Sequence, residues 1–155
     1  MSDYFLDSSA LVKRYLTETG SDWVRALADP GTGNTIVVAG ITRVEVAAAL
    51  AGRHRAPDGV SLFERDAAVY LLLEHFEMEY GITPLDPEII GRAAALTQTH
   101  YLRGYDAVQL ATALAANESL AGADLPNLAF IASDDDDLVA AGSEDLPADD
   151  PNRHS

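Results

Sequence analysis

Residues 4–16 read Tyr4-Phe5-Leu6-Asp7-Ser8-Ser9-Ala10-Leu11-Val12-Lys13-Arg14-Tyr15-Leu16. A short run of aromatic and aliphatic residues stops at an acid, passes through two small hydroxyls, and continues as an apolar, basic stretch with helical character. The first three residues have strand propensity, and the stretch from about Ser9 to Leu16 predicts a helix. One strand running straight into one helix is the unit from which parallel sheets are built.

The same alternation continues through the chain. Ser21 is predicted to cap a helix carrying Trp23, Val24 and Leu27 on one face. Pro30-Gly31 marks a loop, and Ile36-Val37-Val38 predicts the second strand. A helix over about 42–55 follows, then a turn at Pro57-Asp58-Gly59, then a long aliphatic helix over about 61–79 with Val69, Leu72, Leu73 and Phe76 at helical spacing. Residues 81–85 predict a weak strand, and Pro87 opens a helix that ends near His100. A helix from about Asp106 to Leu120 precedes a last strand, Leu128-Ala129-Phe130-Ile131-Ala132. The expected fold class is a three-layer α/β/α domain with a central, mainly parallel sheet of four or five strands, spanning residues 1–142. Residues 143–155 form an acidic, proline-containing tail that is expected to be loosely held.

Composition bounds the function. The chain has 155 residues, no cysteine, and 25 acids against 10 bases, for a formal charge of −15; Lys13 is the only lysine. The absence of cysteine excludes disulfides, thiolate metal sites and a cysteine nucleophile. So negative a chain lacks the basic footprint of a sequence-independent nucleic-acid binder, and favours bound cations or a basic partner. The opening residues carry no signal-peptide pattern and no apolar run reaches the ~20 residues of a membrane helix. A cytoplasmic location and no membrane association are therefore expected.

Ligands of open parallel sheets collect at the carboxyl ends of the strands. Asp7 ends the first strand, and Asp134, Asp135, Asp136 and Asp137 follow the last, so both groups fall on one edge of the sheet. Each also has a plain reading, since aspartate often caps the helix after a strand. Glu45 lies on a stripe with Ile41, Thr42, Ala48 and Ala49, which turns its carboxylate toward the sheet and demands a cation or a donor; Arg43 and Arg53 are the alternative, as salt-bridge partners. Asp106 opens a helix, where an acid is favoured by capping and the dipole alone. Four carboxylates converging without a lysine would repel one another unless metal neutralised them. Oxygen donors of this kind suit one or two Mg²⁺ or Mn²⁺ ions.

At these motifs the chain resembles PIN-domain ribonucleases, specifically the VapC-type toxins of VapBC toxin–antitoxin pairs. YFLDSSALVKRYL (residues 4–16) resembles the first family motif, ITRVEVAAAL (41–50) the second, LRGYDAVQLATAL (102–114) the third, and FIASDDDDLVAAG (130–142) the fourth. The resemblance implies that Asp7, Glu45 and Asp106 are catalytic metal ligands. The family register of hydroxyl, any residue, Asp, two residues, Leu fits Ser133, Asp135 and Leu138, which makes Asp135 the fourth ligand, with Asp134 as the alternative. Ser8, Ser9 and Ser133 fall where the family places hydroxyls near metal and phosphate. Hydrolysis of RNA assisted by Mg²⁺ or Mn²⁺, a cognate antitoxin and a homodimer are implied in the same way. Lys13, Arg14, Arg43, Arg53, Arg55 and Arg103 are candidates for guiding RNA. The long helix over about 61–79 is a candidate for a dimer or antitoxin surface. His54, His75 and His100 show no metal-ligand spacing. Two other readings are a PIN-like scaffold that only binds its partner, and a receiver-like or haloacid-dehalogenase-like phosphoryl-transfer domain. The second fits poorly, because Lys13 is early and Ser9 stands where a dehalogenase has its second Asp.

Overall fold

A computed structural model of the chain describes residues 1–154. Strand β1 (Asp3–Leu6) lies at the centre of a five-stranded sheet of order β3-β2-β1-β4-β5, in which β2 is Thr35–Ala39, β3 Gly81–Thr83, β4 Ala129–Ile131 and β5 Ala148–Asp149. Every pairing is parallel. The structure has the predicted three-layer α/β/α class; the sheet, expected to be mainly parallel with four or five strands, has five and is parallel throughout.

The alternation of side chains along each strand sorts the interior into two cores. On one face, Leu6, Ile36, Val38 and Ile131 pack with residues of α1 (Ser8–Tyr15), α2 (Ser21–Leu27), α3 (Thr42–Arg55) and α4 (Leu62–Met78). On the other, Phe5, Ala39 and Phe130 pack with α5 (Pro87–Thr99), α6 (Gly104–Gly122) and α7 (Asp135–Ser143). Phe5 and Phe130 stack across neighbouring strands with ring centroids 5.8 Å apart. The chain leaves β1 toward β2 on one side and returns to β4 on the other. The crevice beyond the ends of β1 and β4 is thus the switch point of the sheet.

Three expectations are corrected. Ser21 does not cap α2; Gly20 holds that position in a left-handed conformation, while Ser21 donates to the Leu16 carbonyl and accepts from Glu18 N–H. Along α4 only Ala68, Leu72 and Phe76 are buried, and Leu73 lies outside with Phe63, Tyr70 and Met78. The segment expected to be a loose tail is paired and packed over its described residues, 143–154. Phe130 and Ala132 donate backbone N–H groups to Pro147 and Asp149, making β5 the fifth strand, and Leu146 is buried. Acidity and prolines indicate a poor core former, but they say nothing of the open edge of β4, which takes up these backbone groups.

The tail then crosses to α2. His154 stacks on Trp23 with centroids 4.2 Å apart, and Pro151 is buried against Gly20. Gly20 has φ of 85°, and a Cβ there would stand 2.7 Å from the Pro151 carbonyl oxygen. Gly20→Ala is therefore expected to destabilise the fold by about 1–3 kcal/mol. Chemical denaturation checks this; an unchanged midpoint would mean that the tail does not dock on α2. Among the described residues no helix is long and apolar enough to cross a membrane.

Candidate metal centre

Asp7 is set by the end of β1 and the start of α1. Its backbone N–H donates to the Ile131 carbonyl at 3.1 Å, fastening the end of β1 to β4. The side chain caps α1, accepting from Ala10 N–H at 2.9 Å and from the Ser9 hydroxyl at 2.6 Å. Both bonds end on Oδ1. Capping therefore uses one oxygen and leaves Oδ2 without a protein donor among the described residues. Burial lifts the Asp7 pKa to about 7, aided by the charges of Asp106 and Glu45 and opposed by the Ser9 and Ala10 bonds. Ser9 also accepts from Ser133 N–H at 3.0 Å, so one hydroxyl ties the two strand ends together.

Asp106 is the third residue of α6 rather than its cap, a position held by Arg103. Burial raises its pKa, as do Asp134 and Glu45, against the Arg103 guanidinium and backbone N–H. Glu45 comes from the first turn of α3 and is half-buried. The stripe predicted for it is displaced: Thr42, Val46 and Leu50 face the core, whereas Ala48 and Ala49 are exposed. Glu45 reaches the site from the rim of that stripe, where it accepts a 2.8 Å hydrogen bond from the Gln109 amide.

Asp137 completes the cluster. It is 3% exposed, and its Oδ1 is buried without any hydrogen-bond partner. Burial first, then the charges of Asp106, Asp7, Asp134 and Asp136, push its pKa up to about 8. Ser133 Oγ is likewise buried and unpaired. Among the described residues none of Asp7, Glu45, Asp106 and Asp137 forms a salt bridge. An uncompensated buried carboxylate is expensive, and here the neighbouring acids add to that cost by raising one another's pKa. A cavity of about 280 Å³ opens beside them, lined by Tyr101, Leu102, Arg103, Asp106, Asp134 and Asp136.

A family model for the PIN domain matches residues 4–142. The chain belongs to the PIN domain family. Members of this family are generally nucleases. Among solved structures, a chain of a toxin–antitoxin complex from Klebsiella pneumoniae is similar, with a TM-score of 0.61 and 18% identity over 96% of this chain and 97% of that one. A chain of VapBC2 from Rickettsia felis, solved bound to a DNA fragment from the promoter, gives 0.59 and 12% over 96% and 98%. At such identities the likeness is one of fold. No curated protein sequence matches the chain.

Against the sequence expectations, this PIN domain brings together Asp7, Glu45 and Asp106, and it does not bring Asp135 to them. The Asp135 side chain is 87% exposed and faces Arg153 of the tail at 3.5 Å. Asp134, the alternative, caps α7 by accepting from Asp136 N–H, and stands at the cavity wall. With Asp134 as cap, the third helical residue is Asp137, which shares a face with the buried Ala140 and Ala141. Ser8 lies against Gln109. The expected RNA guides divide too. Lys13 is buried and bonded to Glu18 and the Thr19 carbonyl, and Arg14 is held by Tyr80 and Glu79. Arg103 alone among the named bases lines the acidic cavity. His54 and His75 bond to the Val60 carbonyl and Tyr15, and His100 Nε2 stands 3.5 Å from Glu144 Oε1.

Proposed function

We propose that this PIN domain is a metal-dependent endoribonuclease and acts as the toxin of a toxin–antitoxin pair. The observation that carries the reading is the buried, unpaired Asp137 carboxylate set against Asp7 and Asp106 at the switch point of the sheet. Asp7, Glu45, Asp106 and Asp137 would hold one or two Mg²⁺ or Mn²⁺ ions, with Asp137 taking the part first expected of Asp135. The donor set fits: carboxylate oxygens with hydroxyls beside them suit a hard divalent cation. As they stand, no three of the described His, Asp or Glu side chains are close enough to hold an ion. Binding an ion would therefore require these side chains to draw closer together than they stand in the metal-free chain. Such an ion would polarise a phosphoryl oxygen of the substrate and activate a water.

The chain's own groups do the rest. Ser9 and the first turn of α1 fix Asp7 Oδ1 and leave Oδ2 directed elsewhere. Ser133 Oγ and the Ser8 hydroxyl offer further donors or acceptors at the rim. Arg103 is the cation placed to meet a phosphate entering the cavity. The phosphoryl-transfer rival loses its last support, because Lys13 is sequestered by Glu18 and the Thr19 carbonyl and no lysine remains for the site. Partner binding is supported by the uncovered apolar face of α4, with Phe63, Tyr70, Leu73 and Met78 exposed, and by the −15 charge, which suits a basic antitoxin segment. A homodimer through this face is expected to sediment at twice the monomer mass.

The test is labelled single-stranded RNA with Mn²⁺, set beside excess EDTA and a DNA of matching sequence. Cleavage of RNA that EDTA abolishes is the expected result. RNA left intact while a partner still binds would make the domain an inactive scaffold, and cleavage unaffected by EDTA would remove the metal from the account.

A further inference from the structure

Gln109 lies one turn beyond Asp106 on α6 and is 2% exposed, among buried Ala107, Leu110, Ala111 and Ala113. Its Nε2 stands 2.8 Å from Glu45 Oε1, 2.8 Å from Thr42 Oγ1 and 3.1 Å from Ser8 Oγ. Its own Oε1 is buried with no partner. An amide nitrogen carries two protons, and here it is offered three acceptors. Turning the amide over would give Oε1 the Thr42 and Ser8 hydroxyls as donors, but it would set that oxygen against the Glu45 carboxylate. The side chain thus keeps the orientation that serves Glu45 and leaves its own carbonyl unsatisfied. Buried polar groups are nearly always paired, and an orphaned one calls for a reason.

We infer that Gln109 is a positioning residue that fixes the Glu45 carboxylate toward Asp7 and Asp106, anchored on its other side by Thr42. One amide links α6, α3 and the start of α1, the elements that carry Asp106, Glu45 and Asp7. The inference rests on the metal-nuclease reading above, and gives that site a donor whose work is geometric. Groups that orient ligands in this way govern affinity without touching the ion.

Gln109→Met keeps an unbranched side chain of similar length and removes both the donor and the orphaned oxygen. Mn²⁺ binding to the intact chain, followed by calorimetry, is expected to weaken about 10- to 100-fold, while the melting temperature without metal stays at or above that of wild type. RNA turnover at saturating Mn²⁺ is expected to fall in kcat with KM unchanged. A merely structural glutamine would move the melting temperature and leave the Mn²⁺ affinity of the folded protein alone. Thr42→Val, which removes only the second anchor, is expected to weaken Mn²⁺ several-fold and serves where Gln109→Met does not fold. Wild-type affinity in either folded variant overturns the inference by itself. A wild-type chain that binds no Mn²⁺ overturns the metal reading, and this inference with it.

Discussion

Asp7→Asn is expected to lower Mn²⁺-dependent RNA cleavage by at least ~10³-fold, equivalent to about 4 kcal/mol of transition-state stabilisation, without destabilising the metal-free fold. The asparagine oxygen still accepts from Ser9 and Ala10, so the cap of α1 survives. What disappears is a charge that burial, Asp106 and Glu45 all oppose. The sign of the pH dependence follows from the raised pKa. In the folded chain Asp7 titrates at about 7 rather than 3.8. Its contribution to stability is therefore complete below the unfolded value and is lost as pH rises through the folded one. Asp137, at about 8, extends that loss to higher pH. Asp137 is common to both proteins, so the metal-free wild type should fall in stability relative to Asp7→Asn between about pH 4 and 7. Added Mn²⁺, which favours the ionised carboxylates, should reverse the order near pH 8 for the wild type alone. Melting curves across this range check the point; an Asp7→Asn variant less stable than wild type at pH 8 without metal would contradict it.

The second large effect separates two neighbours in the aspartate run. Asp137→Asn is expected to reduce cleavage by about 10²-fold or more, whereas Asp135→Asn should leave it within about threefold, as solvated surface charges usually do. Asp135 is 87% exposed and its nearest cation is Arg153; Asp137 is buried, unpaired and coupled to Asp7 and Asp106. Parallel assays of the two single variants decide the matter. The reverse order of effects would return the fourth carboxylate to the register read from the sequence.

That register shows where the sequence ceased to be legible. Strands and helices declared themselves through runs such as Tyr4-Phe5-Leu6 and Leu128–Ala132, whose periodicity is local. The phase of α7 is not local, because it depends on which aspartate becomes the cap. Asp135 has Leu138 and Val139 at helical spacing, a more apolar pair than the Ala140 and Ala141 of Asp137. The alanines nevertheless face the core, with Leu138 at its margin and Val139 exposed. Glu45 repeats the lesson: Ala48 and Ala49 suggested its inward face, and the true stripe runs through Thr42, Val46 and Leu50. Strand β5 is not legible in the sequence because two residues carry no period, and their place is set by the open edge of β4. Gln109 is one polar residue in Asp106-Ala107-Val108-Gln109-Leu110-Ala111, where only the tertiary neighbours Glu45, Thr42 and Ser8 give an amide meaning. The neighbourhood of Asp7, Glu45 and Asp106 is legible because strand ends and helix starts on one edge of a parallel sheet lie near one another.

A crystal of the protein soaked in Mn²⁺ and measured at the manganese edge tests the central claim most directly. Anomalous density among Asp7, Glu45, Asp106 and Asp137, absent in Asp7→Asn, is the predicted result. A well-ordered crystal with no such density, or with manganese only at Asp135 on the surface, would contradict it.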